Sequence, residues 1–151
     1  MPKPARQTVL YVEDHPVNVL LMAAVLERRP DLDLVVANTG AEALRLAEGL
    51  SPVLLLLDLG LPDCHGSELL PRLRALPGCA SAPAVAVTAD ADFEIEGTSF
   101  CELWPKPLVI DQVLQRIDTL TGSTAAAPPS QRSFAPPPAR LALASFEPAW
   151  P

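Results

Sequence analysis

Short apolar runs in this sequence end in side chains that could share one piece of chemistry. Glu13 and Asp14 close the run from Thr8 to Val12, and Asp58 closes the uninterrupted apolar run from Val53 to Leu57. Thr88 closes Ala84 to Val87, and Lys106 follows the short run from Glu102 to Trp104. If the runs are parallel strands, their polar ends meet, because open α/β sheets bind ligands beyond the carboxyl ends of their strands. Three carboxylates in one pocket repel, and at least one pKa must rise unless a cation sits among them. A hard divalent ion, Mg²⁺ by preference, resolves that conflict, since it takes oxygen ligands and leaves positions open for water or phosphate. With the Lys106 ammonium and the Thr88 hydroxyl added, the set suits phosphoryl transfer onto a carboxylate.

The elements needed to hold such a site are legible in the spacing. Thr8 to Val12 reads as a strand, and the segment from Pro16 to Arg29 reads as a helix with Val17, Leu20, Leu21 and Ala24 on one face. Asp14 or His15 is placed to cap it, and Pro16 suits its first turn. Leu32 to Ala37 is a second strand. Thr39 and Glu42 form a capping box that opens a second helix, and Gly49 stops it. Val53 to Leu57, apolar throughout, is expected of a central parallel strand buried on both faces. A helix from about Ser67 to Leu76 follows, then strands at Ala84 to Val87 and Glu102 to Trp104. Ile110, Val113, Leu114, Ile117 and Leu120 mark a last helix that Gly122 closes. Strands alternating with helices, without hairpin turns, imply a parallel sheet covered on both faces.

Composition narrows the class. The 151 residues suffice for one ordinary domain with a core. Eleven of the 18 prolines fall in residues 1–122 and seven in residues 123–151, so the end of the chain differs from the rest. Residues 1–122 hold nine basic and seventeen acidic side chains, a net charge of −8. That sign argues against nucleic acid as a direct partner. Cys64, Cys79 and Cys101 have neither disulfide nor zinc spacing, and the N-terminal stretch is neither a signal peptide nor a membrane span. A cytoplasmic chain with no membrane partner is the expectation. His15 and His65, beside the acids, read as loop residues, because no Cys or His partner has ligand spacing.

Taken together, Glu13-Asp14, Asp58 followed by Leu-Gly-Leu-Pro-Asp-Cys-His-Gly-Ser-Glu-Leu, Val-Thr88-Ala and Lys106-Pro107 resemble the receiver domain of bacterial two-component response regulators, over about residues 7–121. The resemblance implies a flavodoxin-like (CheY-like) doubly wound sheet of five parallel strands in the order 2-1-3-4-5. It implies that Asp58 accepts a phosphoryl group from a sensor histidine kinase or a histidine phosphotransfer protein. Asp14, Asp58 and the Gly60 carbonyl would bind Mg²⁺, with Glu13 acting through water. Thr88 and Lys106 would hold the phosphoryl oxygens, helped by the Leu59 and Ala89 amides, and the Lys106-Pro107 bond would be cis. Such a domain is a phosphoacceptor that promotes its own phosphorylation and dephosphorylation, rather than an enzyme acting on other substrates.

Two departures from the family lie on one side of the domain. Between Thr88 and Lys106 the chain is short by about four residues, roughly one helical turn. The residues that remain, from Asp90 to Phe100, are acidic, poor in apolar anchors and interrupted by Gly97, which predicts a fourth helix that is shortened, irregular or absent. Leu103 stands where relatives carry an aromatic residue that reports movement of the threonine. Trp104 could substitute, although alternation along a strand sends it to the other face.

The expected domain runs over 1–122, followed by a Pro/Ala-rich tail over 123–151 that is either disordered or a docking segment. No output domain fits after Gly122, so a stand-alone receiver signalling by protein contact is expected. A homodimer through the face of fourth helix, fifth strand and last helix, or through the tail, is one form of that contact. A degenerate receiver that binds partners without phosphate is the alternative. An aspartyl phosphatase is disfavoured, because its second acid, two residues after the nucleophile, is here Gly60.

Overall fold

The computed structural model describes residues 6–90 and 92–122. The expected tail over 123–151 lies outside them. Five strands, β1 (Gln7–Val12), β2 (Leu32–Ala37), β3 (Leu54–Asp58), β4 (Ala84–Thr88) and β5 (Glu102–Pro105), alternate with α1 (Pro16–Leu26), α2 (Gly40–Ala47), α3 (Gly66–Arg74) and α4 (Ile110–Thr121). The sheet order is β2-β1-β3-β4-β5 and every neighbouring pair is parallel. This is the flavodoxin-like order expected from the sequence.

The apolar runs divide into two layers because strand side chains alternate in direction. Leu10, Val12, Leu55, Leu57, Ala84 and Ala86 face α2 and α3, where they meet Ala43, Ala47, Leu69, Leu70 and Leu73. Val9, Tyr11, Leu54, Leu56, Val85 and Val87 face α1 and α4, where they meet Met22, Val25, Leu26, Val113 and Ile117. β3 feeds both layers, which is why none of its residues could be polar before Asp58.

Between β4 and β5 the described residues contain no helix. Phe100 is buried and carries Phe93, Ile95 and Leu103 with it against the α2/α3 layer. Gly97 turns the segment with φ +81°. Trp104 joins the opposite layer, as alternation along β5 requires.

One expected face is wrong. Val17 and Leu20 are 64% and 70% exposed, and Ala24 is exposed too, whereas Met22, Val25 and Leu26 are buried. α1 is apolar on nearly every side, so periodicity could not choose its inner face; packing on Tyr11 and Leu54 chose it. α1 also stops at Leu26, and Arg29 beyond it is buried. Its guanidinium donates to Asp31 at 2.8 and 2.7 Å and to Asp118 at 2.7 Å, tying the end of α1 to β2 and α4. No helix among the described residues is long and apolar enough to cross a membrane.

Candidate functional site

The strand register assembles the site. Val12 pairs with Leu57, so Glu13 and Asp58 emerge side by side from β1 and β3. Asp58 pairs with Val87 and Thr88 with Pro105, so Thr88 and Lys106 follow just beyond the Asp58 row at the same end of the sheet. The Lys106 amide continues that row by donating to the Thr88 carbonyl at 2.9 Å. This row crosses the β1/β3 boundary, where the strand order reverses and an α/β sheet opens its crevice.

At the centre, carboxylate oxygens of Glu13, Asp14 and Asp58 lie within 4.8 Å of one another. Glu13 has no exposed surface, Asp58 is buried at 7%, and Asp14 is exposed at the mouth. Lys106 Nζ lies 3.0 Å from Glu13 Oε1 and 3.3 Å from Asp58 Oδ1. Burial pushes the Asp58 carboxyl above its usual range and the Glu13 charge adds to that, while the Gly60 amide and Lys106 pull it back. The donors are all oxygen, one is exposed to incoming ligands, and the negative charge exceeds what a single ammonium neutralises. That set fits a hard divalent cation.

The loops following the strands are tightly constrained. Gly60 donates to Asp58 Oδ1 at 3.2 Å and forms an antiparallel bridge with His65. Gly66 donates to the Leu59 carbonyl at 2.9 Å, and a Cβ there would stand 2.6 Å from the Asp58 carbonyl oxygen. Only glycine lets α3 start this close to the acid. Leu59 is buried beside Asp58, whereas Ala89 is exposed after Thr88. The Thr88 hydroxyl accepts from the Asp90 amide at 2.9 Å. Lys106-Pro107 is cis. Leu103, half-buried on the α2/α3 side, faces away from Trp104.

Of the two histidines, His65 has a structural side-chain role. His65 is the N-cap of α3: its Nδ1 accepts from the Ser67 amide at 3.2 Å, and Glu68 accepts from the His65 amide at 3.3 Å. His15 is the N-cap of α1 but makes no side-chain cap bond; its amide instead donates to Glu13 Oε2 at 3.2 Å.

Two residues of the site were not foreseen. Tyr11 donates its hydroxyl to Glu13 Oε1 at 3.0 Å, and Asn38 Nδ2 donates to the Glu13 carbonyl at 3.1 Å. Positions 11 and 13 share one side of an extended chain, so the Tyr-x-Glu spacing could have suggested the first. Burial raises the Tyr11 phenol far above its ordinary value, with Glu13 the next cause. Nothing in the local sequence signals the second, which depends on β2 lying beside β1.

Residues 9–118 match the response regulator receiver domain family model. The polar-differentiation response regulator DivK of Brucella ovis is 30% identical over 120 residues, covering 77% of this chain and 97% of that protein. The nitrate/nitrite response regulator protein NarL of Escherichia coli K12 is 38% identical over 68 residues, 44% of this chain and 32% of NarL. The chain thus spans about a third of the length of NarL and of a similar putative transcriptional regulator from Pseudomonas aeruginosa, where the share is 33%. Among solved structures, the receiver domain of the sensor histidine kinase PA1611 from Pseudomonas aeruginosa PAO1 superposes with a TM-score of 0.69 at 26% identity, covering 79% of this chain and all (100%) of that one. That receiver has a magnesium ion coordinated in its active site cleft. The receiver of the hybrid histidine kinase CckA gives a TM-score of 0.63 at 27% identity, covering 76% and 98% of the two chains.

Proposed function

Since the chain belongs to the response regulator receiver domain family, we propose that it takes a phosphoryl group onto Asp58 from the phosphohistidine of a histidine kinase or phosphotransfer protein. The observation that carries this reading is the convergence of Glu13, Asp14 and Asp58 within 4.8 Å, with Lys106 Nζ 3.3 Å from the Asp58 carboxylate.

In this reading an ionised Asp58 oxygen attacks phosphorus. The new O–P bond forms as the P–N bond breaks, and the donor imidazole keeps the electron pair and takes up a proton. Asp14, Asp58 and the Gly60 carbonyl would hold Mg²⁺, with Glu13 acting through water. The ion supplies positive charge against the carboxylates and the transferring group. Lys106, Thr88 and the Leu59 and Ala89 amides would receive the phosphoryl oxygens, where charge stabilisation does most of the work. Glu13 sets the position of Lys106, and Tyr11 in turn fixes Glu13. Thr88 can turn toward the phosphoryl group only by giving up its bond to the Asp90 amide, so the acidic segment before β5 would feel the reaction.

Val17 and Leu20 on α1 and Val109 at the N-cap of α4 are the exposed large apolar residues among those described. All three belong to elements that start at the Asp58 end of the sheet. They support docking of a protein that presents a phosphohistidine, and we place the exchange in the cytoplasm, with protein contact as the output.

The test is incubation with Mg²⁺ and a small-molecule phosphodonor, read by intact mass, on the natural chain and on Asp58→Asn. Phosphate on the natural chain alone is the expected result, and absence of label under conditions that modify an ordinary receiver would overturn it. A second reading, a receiver that binds its partners independently of phosphate, is favoured by Leu103 and by the missing helix before β5. Partner binding that is the same for Asp58→Asn would support it.

A further inference from the structure

β5 is the last strand of the sheet, and its outer edge has no strand neighbour among the described residues. Between that edge and α4 runs a groove of about 470 Å³, within the size range of sites that take several side-chain-sized groups (about 300–1,000 Å³). Its apolar lining includes Trp104, Leu108, Val109 and Val113, and Arg116 borders it in an ion pair with Glu102. The segment that leads into β5 carries the exposed acids Asp92, Glu94 and Glu96 and no basic residue.

α4, which forms one wall, ends at Thr121, and 29 further residues follow Gly122 in the sequence. They comprise two parts. Residues 123–138 are rich in Ala, Ser and Pro, while 139–150 hold Leu141, Leu143, Phe146 and Trp150 with Arg140 among them. Large apolar side chains at that density favour a covered surface over water. The charges are complementary: residues 123–151 carry two arginines and one glutamate, against the net −8 of residues 1–122. Reach is sufficient, because a proline-rich spacer of sixteen residues spans up to about 50 Å when extended, whereas α4 is about 18 Å long.

We infer that residues 139–150 of this same chain dock in the groove between β5 and α4, with Leu141, Leu143 and Phe146 on its apolar floor and Arg140 toward the acids before β5. The groove is then occupied by the chain itself, and any partner that uses this face has to displace the segment. The inference does not depend on phosphoryl transfer at Asp58.

Hydrogen–deuterium exchange of the full chain tests it, against the full chain carrying Leu141→Ser, Leu143→Ser and Phe146→Ser. Docking predicts that amides in 102–104 and 109–116 exchange about threefold or more slowly in the natural chain, while those of β1 and α1 are unchanged. Equal exchange in the two proteins overturns the inference. Slower exchange that disappears on dilution, together with a dimer in sedimentation, overturns it as well, because the occupant is then a second copy. Concentration-independent protection in a monomer is the supporting result.

Discussion

Lys106 Nζ stands 3.0 Å from Oε1 of Glu13, a glutamate with no exposed surface. The same ammonium serves Asp58 at 3.3 Å, so one cation holds two buried acids. Replacing it leaves the Glu13 carboxylate, among the described residues, with only the Tyr11 hydroxyl and the His15 amide. Lys106→Met should therefore cost about 3 kcal/mol in metal-free buffer, as expected when one partner of a buried pair is removed. Mg²⁺ should raise the melting temperature of the variant more than that of the natural chain, because the cation then replaces the lost charge. Thermal melts with and without Mg²⁺ check both parts; equal Mg²⁺ shifts would show that the ammonium and the ion do not share the site.

Gly66 sets how closely α3 can approach Asp58. An added Cβ would meet the Asp58 carbonyl oxygen at 2.6 Å and a Leu59 methyl at 2.9 Å. Gly66→Ala should destabilise the fold by about 2 kcal/mol despite the better helix propensity of alanine, because backbone cannot yield as a flexible side chain can. Gly49→Ala, where nothing lies within 4 Å, is the control and should stay within about 0.5 kcal/mol of the natural chain. Urea denaturation of the three proteins measures the contrast.

Much of this arrangement could be read from the sequence because β3 is apolar at every position until Asp58, and such a strand can only lie in the middle of a covered sheet. Once its place is fixed, short connections bring the other strand ends to the same edge. What could not be read depended on neighbours distant along the chain. α1 offers apolar residues on several faces, and only contact with the sheet decides that Met22 goes in and Leu20 stays out. The capping box of α2 is half as expected: Thr39 accepts from the Glu42 amide at 3.0 Å, but Glu42 reaches back to the Asn38 amide at 2.7 Å, one residue before the cap. Asn38 in turn spends its side chain on Glu13, a contact made only because β2 pairs with β1.

Tyr11 is the one tyrosine of the chain, which makes its titration directly observable. Its phenol is held protonated by burial first and by the Glu13 charge second. A folded-state pKa above the unfolded value means that the contribution to stability is complete below the ordinary phenol value of 10.0 and is lost as pH rises beyond it. Phenolate absorbance should accordingly appear in step with alkaline unfolding seen by circular dichroism, rather than ahead of it. Tyr11→Phe removes a hydrogen bond to a buried charged group and should cost about 2 kcal/mol at neutral pH. The gap between the two proteins should narrow above the phenol value. Phenolate absorbance that rises while the fold is intact would show the hydroxyl to be open to solvent.

The segment before β5 covers its part of the core with aromatic rings in place of a helix. Phe100 is 5% exposed and meets Phe93 edge to face, with ring centroids 6.3 Å apart, and Phe93 reaches His65 at 5.8 Å. With few backbone bonds of its own, the segment depends on those rings for its position, and the deeper ring should matter more. Phe100→Ala should cost about 3 kcal/mol, the usual range for emptying a buried phenylalanine site, while half-buried Phe93 should cost about 1 kcal/mol. Urea denaturation gives both values. Proteolysis adds a reading that global stability does not: Phe93→Ala should speed cleavage within 92–99 without changing cleavage elsewhere, because the ring anchors that segment alone. If Phe93→Ala instead lowered global stability as much as Phe100→Ala, the two rings would belong to one cooperative core, and the segment would be as firmly held as the helix it replaces.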